Sequence, residues 1–126
     1  MDNPKYNIGD KIYSPNVDGE ITSIWISKFQ DGFSYGINKS EDSFYDVLEE
    51  NVQSVEKGCD EKINFNPKYN LGDWIKGKGL DGKCKSGVIE VIAFIRMENE
   101  FVYFFDDENS GYGTNLYENN IFENQE

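Results

Sequence analysis

The chain is expected to be all-β, built from two tandem copies of one small barrel-sized unit, and three observations carry that expectation. First, Asn3-Pro4-Lys5-Tyr6-Asn7-Ile8-Gly9-Asp10-Lys11-Ile12 returns as Asn66-Pro67-Lys68-Tyr69-Asn70-Leu71-Gly72-Asp73-Trp74-Ile75, with eight of ten positions identical. Matches in one order at nearly constant spacing are the mark of duplication. Second, short β-branched and aromatic runs alternate with Gly, Asp and Pro turn signals, and no helix-period run of useful length interrupts them. Third, aromatics make up 15% of the residues, so Phe, Tyr and Trp must supply much of the core of units too small to bury many aliphatic side chains.

The elements of the first copy follow in order. Ile8 to Tyr13 reads as a strand after the Gly9-Asp10 turn, and Pro15 with Asp18-Gly19 closes it. Glu20 to Lys28, carrying Ile21, Ile24, Trp25 and Ile26, is a second strand. Asp31-Gly32 is a hairpin turn signal, and Phe33-Ser34-Tyr35-Gly36-Ile37 alternates as a third strand. Asn38 to Asp42 reads as a polar loop and Phe44 to Val47 as a fourth strand. Glu49 to Val52 reads as a single helical turn, and Val52 to Val55 as the closing strand. The second copy repeats this through Val88 to Arg96, Phe101 to Phe105 and Tyr112 to Tyr117, with Gly19-Glu20-Ile21 answering Gly87-Val88-Ile89 and Glu50-Asn51 answering Glu118-Asn119. Tyr6 and Tyr69 stand 63 positions apart but Gly19 and Gly87 stand 68 apart, so the second copy gains five residues between them, within Lys76 to Ser86. The expected boundaries are 1–57 for the first unit, 58–65 for a linker and 66–126 for the second unit.

The pattern Tyr-x-Ile-Gly-Asp-x-Ile, then Gly-x-Ile-x-x-Ile, then an alternating aromatic strand and Glu-Asn-Val, resembles the SH3-like small barrels, whose relatives include Tudor, KOW and chromo-barrel domains. The resemblance covers both copies and implies two tandem SH3-like barrels. Such barrels host peptide binding, methyl-lysine reading, nucleic-acid binding and scaffolding, so the resemblance implies an architecture and leaves the function to the residues.

The composition narrows the function classes. The net charge is −12, with 24 acidic against 12 basic residues. Such a surface repels phosphate backbones and attracts basic partners, which disfavours nucleic acid as a partner. Arg96 is the only arginine, although arginine forks carry most specific phosphate and base recognition. No run approaches the roughly 20 apolar residues of a membrane span, and Met1-Asp2-Asn3-Pro4 lacks the basic and apolar regions of a secretory signal. With two cysteines, Cys59 and Cys84, and no histidine, the chain is expected to be cytoplasmic and to need no cofactor or metal. The missing histidine removes the commonest general base and the partner that would activate a cysteine nucleophile, so a non-enzymatic role is expected.

Three groups of residues stand out as candidate sites. The aromatics exceed what two small cores need. Among them Tyr13, Tyr35, Tyr45, Trp74 and Tyr112 are candidates for a groove, and Tyr13, Tyr35 and Tyr45 with Asp46 would suit a cation cage if they shared a rim. The acids Glu41, Asp42, Asp46, Glu49, Glu50, Asp106, Asp107 and Glu108 fall in equivalent places of the two copies and form a candidate surface for a basic partner. Lys76, Lys78, Lys83 and Lys85 lie in a glycine-rich stretch read as a long loop, next to Trp74, and would suit a phosphate or a stacked base. Asp106 to Gly111 begins like a calcium loop, but Tyr117 stands where the bidentate Glu belongs, so it reads as a hairpin loop.

The leading expectation is an acidic, non-enzymatic module that docks a protein partner with a basic surface. An abundance of Asn, Lys, Ile and Tyr suggests an AT-rich bacterium or its phage, and the first alternative is accordingly a phage- or mobile-element-encoded inhibitor whose carboxylates mimic nucleic acid to block a host nuclease or defence effector. The second alternative is nucleic-acid binding through the Lys76 to Lys85 stretch.

Overall fold

The structure, a computed structural model, describes residues 3–40, 43–107 and 111–122. Its regular elements are nine strands and two single 3-10 turns, so the described chain is all-β. The strands are β1 (Lys11–Tyr13), β2 (Asp18–Ser27), β3 (Ser34–Ser40), β4 (Ser43–Leu48), β5 (Ser54–Glu56), β6 (Trp74–Lys78), β7 (Cys84–Ile95), β8 (Glu100–Asp107) and β9 (Gly111–Tyr117). The 3-10 turns, Glu49–Asn51 and Glu118–Asn120, follow β4 and β9. Among the described residues no helix is long and apolar enough to cross a membrane.

The repeated Tyr-Asn-x-Gly-Asp motif makes the same turn twice. Asn7 N–H donates to Asp10 Oδ2 at 3.0 Å, and Asn70 N–H donates to Asp73 Oδ2 at 2.9 Å. Gly9 and Gly72 sit at φ +88° and +90°, backbone that favours glycine. Each turn then locks onto the next long strand: Gly9 N–H donates to Ile21 C=O and Ile21 N–H to Asp10 C=O, while Gly72, Ile89 and Asp73 repeat the pair at the same distances.

β2 and β7 are the spine. In β2, Ile21 and Ile24 are both fully buried although they stand three apart, which a regular two-residue alternation forbids. The ladder to β3 shifts register between Ile21 and Ser23, and that of β7 to β8 shifts between Ile89 and Val91. One extra residue, Thr22 or Glu90, resets the phase and bends the strand. Ahead of the bulge β2 pairs β1, which also pairs β5; on its other edge and across the bulge β2 pairs β3, which pairs β4. In the second copy β7 pairs β6 and β8, and β8 pairs β9. An isolated Gly77–Ile121 bridge stands where β1–β5 stands in the first copy.

The two copies are joined edge to edge. β2 pairs β7 antiparallel, so the sheet runs β4-β3-β2-β7-β8-β9. The junction pairs Ser23 with Ile95, Ile24 with Phe94, Trp25 with Ala93, Ile26 with Ile92 and Ser27 with Val91. With equivalent residues 68 apart here, Trp25 pairs its own equivalent, Ala93, and the flanking pairs exchange with one another by a two-fold rotation. The hydrogen bonds Lys28 N–H to Glu90 C=O and Arg96 N–H to Thr22 C=O, both 3.0 Å, are likewise equivalent. A local two-fold axis therefore passes through the Trp25–Ala93 pair.

Behind this junction Ile24, Ile26, Ile92 and Phe94 join one buried cluster that extends through both copies. Phe65 stands edge-on to Phe33 and Phe101, at centroid distances of 5.2 and 5.1 Å. The segment between the copies is tied down along its length. Gly58 N–H donates to Asp10 Oδ1, Ile63 N–H donates to Asn7 Oδ1, and Asp60 pairs with Arg96.

Candidate functional site

The face of the sheet opposite the core carries a row of three rings. Trp25 lies between Phe44 on β4 and Phe104 on β8, at centroid distances of 6.1 and 5.3 Å. Small neighbours make the row possible. Phe44 packs across Gly36 of β3, where a Cβ would stand 2.7 Å from the Phe44 ring and 2.0 Å from Ser23 Oγ. Trp25 faces Ala93 across the β2–β7 ladder, and its indole Nε1–H donates to the buried Ser23 Oγ at 2.6 Å. That bond fixes the ring's tilt and satisfies a polar atom that would otherwise be stranded.

Two clefts flank the Trp25–Phe44 pair. The larger, about 620 Å³, is lined by Ser23, Trp25, Phe44, Ile95 and Met97, with Asn38, Arg96 and Glu98 among its polar residues. The smaller, about 250 Å³, runs between Trp25, Phe44 and Val91 toward Gln30 and Asp46. Phe44 keeps 49% of its surface exposed and Met97 keeps 91%. The surrounding charge is negative. Arg96 spends its guanidinium on Glu20 and Asp60, both at 2.8 Å, and Glu98 stands on the rim. Among the described residues Asp46, which is exposed, has no ion-pair partner.

The sequence-predicted aromatic site is not assembled as expected. Tyr35 is fully buried: its hydroxyl donates to Glu49 Oε1 at 2.6 Å and accepts the Tyr6 N–H at 3.3 Å. Burial, reinforced by the bond to Glu49, pushes this phenol well above its ordinary range. Tyr13 lies on β1 and donates to Glu56 at 2.9 Å. Tyr45 is exposed on β4, but strand alternation turns it to the opposite face from Asp46. A cage of Tyr13, Tyr35, Tyr45 and Asp46 is therefore absent. Trp74 is exposed on β6, across from the exposed Val88, and the Tyr112 side chain lies outside the described residues.

The acids divide similarly. Asp46 and Glu50 are exposed, whereas Glu49 accepts both the Tyr35 hydroxyl and the Lys5 N–H and serves as a clasp. Asp106 and Asp107 end β8, with their side chains outside the described residues, and Glu41, Asp42 and Glu108 lie wholly outside them. The lysine stretch, expected as a loop, is a hairpin instead. Lys76 and Lys78 point outward from β6, Lys83 sits in the turn, and Lys85 on β7 pairs with Asp81 at 3.3 Å. Four of the five extra residues lengthen two paired strands, β6 and β7, and the fifth lengthens the turn between them, so the added strand backbone is satisfied across the ladder. Cys59 and Cys84 are both exposed and free.

Trp25, Phe44 and Phe104 as a row escaped the sequence reading. The available signal was an exchange between copies: Trp25, Gly36 and Phe44 in the first stand where the second has Ala93, Phe104 and Gly113. Large and small residues trade places at all three positions, as expected where two related faces meet and only one row of rings fits.

No family model, curated protein or solved structure matches this chain.

Proposed function

We propose that the chain is a non-enzymatic protein-binding module made of two SH3-like small barrels, and that its partner docks on the Trp25–Phe44 face. The observation that carries this reading is the ring row itself, held half-open between two clefts on the sheet face that the core does not use. Covering a large aromatic side chain is worth about 1.5–3 kcal/mol, so a ring fixed by its neighbours yet left half in water is suited to a second molecule. The row supplies the fixed aromatic anchors from which binding energy is typically drawn. The net charge of −12 and the paired state of Arg96 give the rim the sign that attracts a basic partner. Two free, exposed thiols suit a reducing compartment, so the proposed location is the cytoplasm.

Panning a displayed library of random twelve-residue peptides against the protein tests this. The expected yield is sequences with an apolar residue among lysines or arginines, bound roughly tenfold or more weakly by Phe44→Ser. Equal recovery by wild type and Phe44→Ser, with binding lost at high salt, would place the contact on the charged surface alone and sink the reading.

A further inference from the structure

We infer that the partner contributes an extended, lysine- or arginine-bearing segment that adds to β4 as another strand of the sheet; this rests on the reading of the Trp25–Phe44 face as the docking surface. β4 ends the sheet path, and among the described residues no strand pairs its outer side. The direction of its backbone groups follows from one bond: Glu49 N–H donates to Phe33 C=O at 3.0 Å, toward β3. Antiparallel pairing alternates, so in register Val47 and Tyr45 turn their backbone groups to β3. Phe44 and Asp46 turn theirs outward.

The same two residues carry their side chains on the ring-row face. A strand laid along β4 meets free backbone donors and acceptors at Phe44 and Asp46. Directly beside those donors it finds a half-exposed ring and a carboxylate with no ion pair among the described residues. Main-chain bonds supply affinity in such strand addition, and alternate side chains supply selectivity. A segment with a basic residue opposite Asp46 would satisfy the carboxylate and reach across the face of Phe44.

Charge selects the occupant. A second copy of this chain pairing through β4 would bring two molecules of net charge −12 together and crowd the two Asp46 carboxylates, the usual device against self-association of an open edge. The same charge draws a basic strand in. β9, the equivalent edge of the second copy, has Gly113, Thr114 and Asn115 in place of Phe44, Tyr45 and Asp46, so at the two outward-facing positions, Gly113 and Asn115, it has neither the ring nor the carboxylate. One strand per chain is accommodated, on the first copy.

The probe is a ten-residue peptide of alternating lysine and valine, titrated into the full isotope-labelled chain. A second peptide, N-methylated at its lysines, lacks the donors that face β4. The expected result is slowed hydrogen exchange at the Phe44 and Asp46 amides, none at β9, and affinity lower by about tenfold or more for the methylated peptide and for Asp46→Lys. Equal affinity of both peptides, or unchanged exchange at Phe44 and Asp46 while the Trp25 indole resonance shifts, overturns strand addition and leaves side-chain docking standing. No response at Trp25 or at β4 overturns both.

Discussion

Tyr35 and Tyr103 occupy the same place in the two copies, and each makes the same three-way clasp. Tyr103 donates to Glu118 Oε1 at 2.5 Å and accepts the Tyr69 N–H at 3.3 Å, while Lys68 N–H donates to the same carboxylate oxygen. The aligned partner of Glu118 is thus Glu49, one position off the Glu50 match suggested by the sequence, because the hairpin between β8 and β9 holds one residue more than that between β3 and β4. The residue type was legible and its direction was not. A tyrosine at an alternating position says which face it shares with its neighbours, but only the carboxylate arriving from a turn 14 residues on turns the hydroxyl inward. Tyr35→Phe strands both the Glu49 oxygen and the Tyr6 N–H, and is expected to lower stability by about 1–3 kcal/mol. Tyr103→Phe should do the same, and the double variant should show the sum, since the two clasps share no residue. Urea midpoints of the four proteins measure this; a double variant no weaker than either single one would show that the clasps are not independent.

At the scale of the elements, the spacing Gly-x-Ile-x-x-Ile already contained the bulge. Two buried isoleucines three apart in a strand require one extra residue between them, and Thr22 and Glu90 are those residues. The turns at Gly9 and Gly72 were equally legible, because the Asn and Asp that build them are local in sequence. The ring row was hidden because it depends on contacts across five strands, and on glycine and alanine at positions that look featureless in one dimension. Gly36 is its weak point. A methyl group there meets Ser23 Oγ and the Phe44 ring, so Gly36→Ala must break the Trp25–Ser23 bond or lift Phe44 off β3. Overpacking of this kind is expected to lower stability by about 1–3 kcal/mol. The second copy indicates the remedy, since it carries Phe104 at the equivalent place and Gly113 where Phe44 would stand. Gly36→Ala combined with Phe44→Gly should therefore recover part of the loss in a denaturant titration without restoring peptide binding. Stability unchanged by Gly36→Ala would mean that Phe44 does not rest on β3 as described.

At the scale of the whole molecule, the sequence announced two copies but not how they meet. The junction strands carried a muted sign of it: Ile24-Trp25-Ile26 and Val91-Ile92-Ala93-Phe94-Ile95 are apolar on consecutive positions, the pattern of strands covered on both faces. Each reads as an ordinary strand until its partner is known, and the partner lies 68 positions away. Once paired, β2 and β7 make the copies halves of one sheet, with Phe65 wedged between Phe33 and Phe101. Separating the halves would expose this junction together with the core behind it, so the expected behaviour is a single cooperative transition. Two tryptophans report on the halves separately, Trp25 in Trp74→Phe and Trp74 in Trp25→Phe. In each variant the fluorescence transition should coincide with that seen by circular dichroism, whatever the substitution itself does to stability. Phe65→Ala should lower both midpoints together, by an amount corresponding to about 3–5 kcal/mol, because the ring it removes belongs to both halves. A fluorescence transition that separates from the circular dichroism in either variant, or a Phe65→Ala effect confined to one tryptophan, would mean that the halves fold as independent units and that the β2–β7 ladder contributes little to holding the ring row in place.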